Sequence, residues 1–151
     1  MQLRIGLLSV VLCVAVAPAR AQGLTPQQRQ AILDYQLTLP AAERLITAMQ
    51  AMSKYLISLP DYQERMRKSV TMPAAERIAQ LEKDPKTAAI LKENGLTARD
   101  YLVGVPALRM ALMAAQGGTA PNIVASQANV AFAKANLAQL KPKMDAADAL
   151  R

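Results

Sequence analysis

The chain has no histidine and no tryptophan, a single cysteine and only five phenylalanine and tyrosine residues in 151. Without imidazole, the Ser-His and Cys-His nucleophile pairs, the common zinc sites and a C-x-x-C-H haem attachment are all excluded. The one thiol, Cys13, falls in an apolar run at the amino terminus. A protein that loses this run keeps no sulfur nucleophile at all. Long hydrophobic stretches are missing beyond that run. So is any window of alternating Val, Ile and Thr closed by hairpin turns, which argues against a sheet. What is abundant is Ala and Leu, with eight Met beside them, and the length suits one domain.

The first 21 residues read as an address. Arg4 precedes an uncharged stretch, Ile5 to Ala17, which ends in Pro18-Ala19-Arg20-Ala21. Only 15 residues separate Arg4 from Arg20, whereas a membrane-crossing helix needs about 20. A cleaved signal peptide is therefore expected at 1–21, with no transmembrane anchor. Lipidation at Cys13 is not expected, because Leu12 stands where a small residue is wanted. The expected mature chain starts at Gln22 and carries a net charge of about +5, against +7 for the whole. Export to a bacterial periplasm is the expected localisation.

The charge is spread along the chain. Arg65-Met66-Arg67-Lys68 is its densest basic group and reads as a solvated helix end, with weak membrane-surface contact as the second reading. Nucleic acid is not an expected partner, since a continuous basic face with stacking aromatics is lacking.

Apolar residues recur at helical spacing throughout, which predicts an all-α bundle of five to six helices over 22–144 and a frayed tail over 145–151. Thr25-Pro26 followed by Gln28 is a capping box and opens a helix with Ile32, Tyr35 and Leu39 on one face. Pro40 opens a second helix with the stripe Leu45, Met49, Met52, Leu56 and Leu59. Pro60 starts a short segment through Lys68, and Thr71 to Lys83 forms another helix. Asp84-Pro85 caps the next, which stops at Gly95. Thr97 to Asp100 starts the most apolar segment, with Tyr101, Val105, Leu108, Leu112 and Ala115 in line, ending at Gly117-Gly118. A last helix runs from Ser126 through Val130, Ala133, Leu137, Leu140 and Met144, ended or kinked by Pro142. The expected core is Leu45, Met49, Met52, Leu56, Tyr101, Val105, Leu108, Leu112, Val130, Ala133, Leu137 and Leu140. The octets Thr38–Leu45 and Thr71–Ile78 are near copies and read as two similar helix starts.

Little catalytic chemistry can be built from these residues. Met49/Met52 and Met110/Met113 each present two thioethers at i, i+3, a soft Cu(I) donor set, but both lie in or beside apolar stripes, where Met is packing material. The acid pairs Asp61/Glu64, Glu82/Asp84 and Asp145/Asp148 neighbour Pro, Lys or a chain end and read as solvated. Ser53-Lys54 and Lys68-Ser69 are adjacent and so point about 100° apart on a helix. Neither an enzyme nor a cofactor is expected. Gly104 and Pro106 interrupt the most apolar segment, which predicts a kink or a break into two helices, Pro106 starting the second. A bend there opens an apolar groove lined by Met49, Met52, Tyr55, Tyr101, Pro106, Met110 and Met113.

Leu81 to Pro85, Ala88 to Leu91, Gly95 to Tyr101 and Asn129 to Asn136 resemble a group of small exported bacterial proteins that share a D-P…A-A-x-L…G-L-T-x-R-[DE]-Y block and a late N-V-A-F-x-x-A-N block. The likeness covers about residues 75 to 140 and implies export and helical fold, with no biochemical function attached. Leu24-Thr25-Pro26-Gln27-Gln28 is similar to the L-T-x-x-Q motif of small periplasmic stress chaperones, which are helical, basic and Met-containing; Leu96 to Asp100 departs from it at the Gln. These readings together point to a non-catalytic exported protein that binds a partner protein or an apolar small molecule. The alternative is a chaperone-like holdase with an exposed apolar face.

Overall fold

The computed structural model describes residues 24–118 and 123–150. The expected signal peptide, Cys13 and the terminal Arg151 lie outside them. The described residues form seven helices and no strand: α1 Pro26–Asp34, α2 Leu39–Ile57, α3 Tyr62–Thr71, α4 Ala74–Lys83, α5 Pro85–Glu93, α6 Ala98–Ala115 and α7 Gln127–Asp148. Among them no helix is long and apolar enough to cross a membrane. The all-α expectation holds, with seven helices in place of five to six.

Local side-chain chemistry sets most of the starts. Thr25 and Gln28 close a reciprocal capping box on α1, and Thr97 and Asp100 do the same on α6. Asp84 accepts from the backbone N–H groups of Lys86 and Thr87 at the start of α5, and Ser126 accepts from Asn129 N–H at the start of α7. Each of these oxygens satisfies a donor that the helix itself leaves without a partner. The duplicated octets diverge. Thr38 caps α2 through Ala41 N–H, whereas Thr71 belongs to the end of α3, and α4 has Pro73 at its N-cap with no side-chain cap bond. The first helix is also shorter than expected: Tyr35 is its C-cap and Leu39 opens α2.

The core is centred on α2, α6 and α7. Leu45, Met49, Leu108, Leu112 and Leu140 are almost wholly withdrawn from solvent and pack together. Helix α2 is covered on a second side, where Ala48 and Met52 meet Ile90, Leu91 and Ala98. Helix α1 lies on α6 through Ile32, Ala107 and Val124. Of the expected core, Leu56, Tyr101 and Leu137 pack against these clusters while partly exposed. Val130 is partly exposed and joins none of them.

Both interior prolines sit inside continuous helices. Pro106 lies within α6, so the segment does not break into two helices and Pro106 does not start one. Gly104, two residues before Pro106, is there for contact: a methyl group in its place would stand 2.8 Å from the Tyr35 ring and 2.9 Å from Leu45 Cδ1. Pro142 does not end α7. It deprives the carbonyl of Ala138 of its intrahelical donor, and both residues are exposed, where water can serve that carbonyl. The frayed tail is likewise corrected. α7 continues to Asp148 with Met144 and Ala147 buried, and Asp148 pairs with Arg109 of α6.

Two tertiary clamps hold this region. Asn129 of α7, 3% exposed, accepts from Leu37 N–H at 3.0 Å and donates to the Tyr35 carbonyl at 2.6 Å. It thereby pins the α1–α2 connection, whose backbone groups have no helical partner there. Glu43 of α2 accepts from Lys143 at 2.6 Å and Gln139 at 3.0 Å on α7. Tyr35, covered by its neighbours, has its hydroxyl pKa raised, chiefly by burial and further by the Asp100 charge.

Candidate apolar groove beneath helix α3

Helices α3 and α4, ten residues each, are the described helices in which no residue is buried; α4 packs on the core through Ile78 and Leu81, whereas α3 adds no residue to any core cluster. Asp61 stands at its N-cap without capping it; the carboxylate instead takes Arg65 Nε at 2.9 Å, one turn along. In the first turn of α3 the Tyr62 N–H is taken by the Leu59 carbonyl at 3.2 Å, and no side chain caps the helix. Met66 is 40% and Val70 74% exposed. The helix is tied to the body by a thin polar seam: Arg65 approaches Asp84 at 3.9 Å, and the Tyr55 hydroxyl of α2 donates to the same carboxylate at 3.0 Å. Asp84 acts at once as helix cap and as the anchor of this seam. The bond it accepts raises the Tyr55 hydroxyl pKa, and the bond that Arg65 donates to Asp61 raises that of the Arg65 guanidinium.

Between α3 and the body lies a groove of about 200 Å³. Its apolar walls come from Met52 and Leu56 of α2, Tyr62 and Met66 of α3, Leu81 of α4, and Tyr101 and Leu102 of α6. Its polar margin is Arg65, Ser69, Arg77, Gln80, Asp84 and Thr87. The Thr87 hydroxyl is committed, donating to the Leu81 carbonyl at 2.6 Å. The volume lies below the roughly 300–1,000 Å³ that encloses a drug-sized ligand. A ligand that size would displace α3 or leave part of itself in solvent.

One side chain at this groove is incompletely satisfied. Arg77 Nε is buried and has no hydrogen-bond partner, an arrangement that costs about 1–3 kcal/mol for a buried donor. Arg109 Nε is also buried without a partner, but its guanidinium is neutralised by Asp148. No ion pair reaches Arg77 among the described residues.

The groove expected at a bend in α6 is not assembled. Met52 and Tyr101 do line the groove observed here, and Tyr55 reaches its margin through Asp84. Met49 is enclosed in the α2–α6–α7 core. Met110 faces the α1 side, where it packs with Ile32, Ala107 and Val124 and its sulfur accepts from Val124 N–H. Met113 is 50% exposed, and Pro106 lies inside α6, outside the lining. The methionine pairs are thus separated: Met49 and Met52 enter different clusters, and Met113 does not join Met110. The acid pairs are largely engaged, Asp61 by Arg65, Glu64 by Lys68, Asp145 by Lys141 and Asp148 by Arg109.

Sequence reasoning missed Leu56, Leu81 and Leu102 as lining residues, and Arg65 and Arg77 at the margin. A faint signal existed for Arg77: it precedes Ile78, and the repeat of Ile78 and Leu81 at i, i+3 marks an apolar face on α4 that needs a partner. No protein-family model, curated protein or solved structure matches the chain.

Proposed function

We propose that this chain is an exported, non-catalytic helical protein of the bacterial periplasm that binds a small apolar or amphipathic molecule in the groove beneath α3. The observation that carries this reading is the pairing of an apolar-walled groove with a roof helix that contributes nothing to the core. A helix held only by a polar seam is easily displaced, and a displaceable roof suits a site that must admit and release a ligand. The chemistry of the lining supports binding in preference to turnover. Asp84 caps α5 and takes the Tyr55 hydroxyl, the Ser69 and Thr87 hydroxyls donate to backbone carbonyls, and Arg77 is the charged group of the lining left without a pair; among the described residues no nucleophile of this lining stands beside a base.

Titration of the purified protein with the uncharged dye Nile red tests this. One saturable equivalent is expected, with Leu56→Glu, which places a charge on the groove floor, weakening it at least about tenfold while the far-ultraviolet circular dichroism is kept. Dye uptake that leaves Leu56→Glu unchanged would remove the groove as the site.

The holdase reading draws on Ile57, Met66 and Val70, exposed near the α2–α3 end. It predicts that the protein suppresses thermal aggregation of an unrelated client and that Leu56→Glu leaves this intact. The burial of the α2, α6 and α7 stripes against each other favours the ligand reading.

A further inference from the structure

We propose that the groove's ligand is a free, single-chain anionic amphiphile, its carboxylate held on the Nε edge of Arg77 and its hydrocarbon chain lying beneath α3. This deepens the ligand reading above and rests on it. The argument is a charge inventory of the groove. Arg65 already has Asp61 at 2.9 Å and Asp84 at 3.9 Å. Asp84 already accepts from Lys86 N–H, Thr87 N–H and the Tyr55 hydroxyl, so its charge is compensated. Glu76 and Glu82, the other acids of α4, make no ion pair with Arg77. The lining therefore holds one uncommitted cation and no uncommitted anion.

Three ligand classes can be weighed against that inventory. A purely apolar molecule fits the walls but leaves Arg77 Nε without an acceptor. A cationic amphiphile adds a second unpaired positive charge beside it. An anionic head group supplies the missing acceptor: Nε is closed to solvent in the unliganded groove, and a planar carboxylate that opens the groove on entry can take Nε–H together with a neighbouring Nη–H in the two-pronged geometry that guanidinium favours. The walls ask for hydrocarbon, and a groove of about 200 Å³ leaves room for one chain and not two. Arg109 supplies the internal contrast, because its own orphaned Nε belongs to a guanidinium that Asp148 already neutralises.

Isothermal titration of the purified protein with dodecanoate, dodecanol and dodecyltrimethylammonium is the test. Dodecanoate should bind at one equivalent, about tenfold to a hundredfold tighter than dodecanol, the range for a charge-assisted hydrogen bond. The cationic detergent should bind weakest. Arg77→Gln should bring dodecanoate down to the dodecanol level, Arg77→Lys should keep part of the preference, and Arg67→Gln, on the exposed side of α3, should change nothing. Because Arg77→Gln removes a packed side chain, the unaltered protein gives a second readout: the Arg77 Nε–H nuclear resonance should shift on adding dodecanoate and stay in place with dodecanol. Equal affinity for dodecanoate and dodecanol, with no effect of Arg77→Gln, would overturn the anionic assignment and leave the apolar groove standing. No binding of any of the three would remove the ligand reading itself. Binding to phosphatidylglycerol vesicles with none to dissolved dodecanoate would place the recognition at a membrane surface and overturn the proposal.

Discussion

The two ends of helix α2 meet very different surroundings. Its N-terminal half is enclosed by α6 and α7, with Leu45 and Met49 inaccessible to solvent and Glu43 tied across to Lys143. Its C-terminal end runs out to Ile57, 43% exposed, and hands the chain to α3, in which no residue is more than partly buried. Both regions are amphipathic helix, and both carry cross-helix polar contacts. The difference is what those contacts accompany. Around Glu43 they lie over a packed core, while around Asp84 they are nearly all that secures α3. The contrast teaches that amphipathic spacing marks a helix with an apolar face without saying whether that face is covered.

The largest test of this comparison is a pair of truncations. Leu112→Ala in the core should cost about 2–5 kcal/mol of unfolding free energy, the transfer loss plus the cavity it leaves. Met66→Ala on α3 should cost less than about 0.5 kcal/mol, as for other exposed positions. Chemical denaturation of both variants measures this. Similar costs would mean that α3 is packed in solution and that the two regions do not differ.

Asn129→Ala comes next. It removes the partner of both Leu37 N–H and the Tyr35 carbonyl, and with each buried group worth about 1–3 kcal/mol when stranded, a loss of about 2–3 kcal/mol is expected. Asn129→Asp should be nearly as harmful, since it can accept from Leu37 but no longer donates to Tyr35. A loss under about 0.5 kcal/mol would mean that water replaces the amide and the clamp is dispensable.

Gly104→Ala pits local against tertiary preference. Alanine gains about 1 kcal/mol of helix propensity over glycine, but its methyl group would press into Tyr35 and Leu45 at under 3 Å, and overpacking of that kind costs about 1–3 kcal/mol. A net destabilisation of about 0–2 kcal/mol is expected. A more stable variant would show that Tyr35 yields easily and that the α1–α6 contact belongs with the loosely held half.

What could be read beforehand divides along the same line. Helix starts were legible because their chemistry is local: Thr25 with Gln28, Asp84 with Pro85, and Thr97 with Asp100 each sit within three residues of the groups they bond. The stripes Leu45/Met49/Met52 and Val105/Leu108/Leu112 were legible from spacing. Pro142 misled because its cost depends on which face the orphaned carbonyl occupies, and that face is exposed only because Met144 and Ala147 turn inward. The groove was the least legible part. Met52 and Tyr101 were named, but Arg77, Leu81 and Leu102 come to it from helices whose mutual placement no local pattern encodes, and Met110 was lost to it because it faces Val124.

The smallest expected effect is electrostatic, and it asks whether the tight half depends on its polar seam. The hydrogen bond from Lys143 Nζ, then that from Gln139, holds the Glu43 carboxyl below its ordinary value of 4.5. A carboxyl with a lower pKa folded than unfolded binds protons more readily when unfolded, so it favours folding at higher pH. Its contribution is present above about pH 4.5 and fades as the pH falls through the folded pKa. Other acids titrate in the same window, so the measure is the difference between the natural protein and Glu43→Gln in denaturation midpoint. That gap should be present at pH 7, shrink as the pH falls below about 4.5 and Glu43 takes up its proton, and narrow at about 1 M salt, where screening acts within about 3 Å. A gap that stays constant as the pH falls would assign the effect to the shape of the side chain and its bond to Gln139. A gap absent at every pH would mean that packing alone joins α2 to α7, which would set the two halves of the molecule further apart.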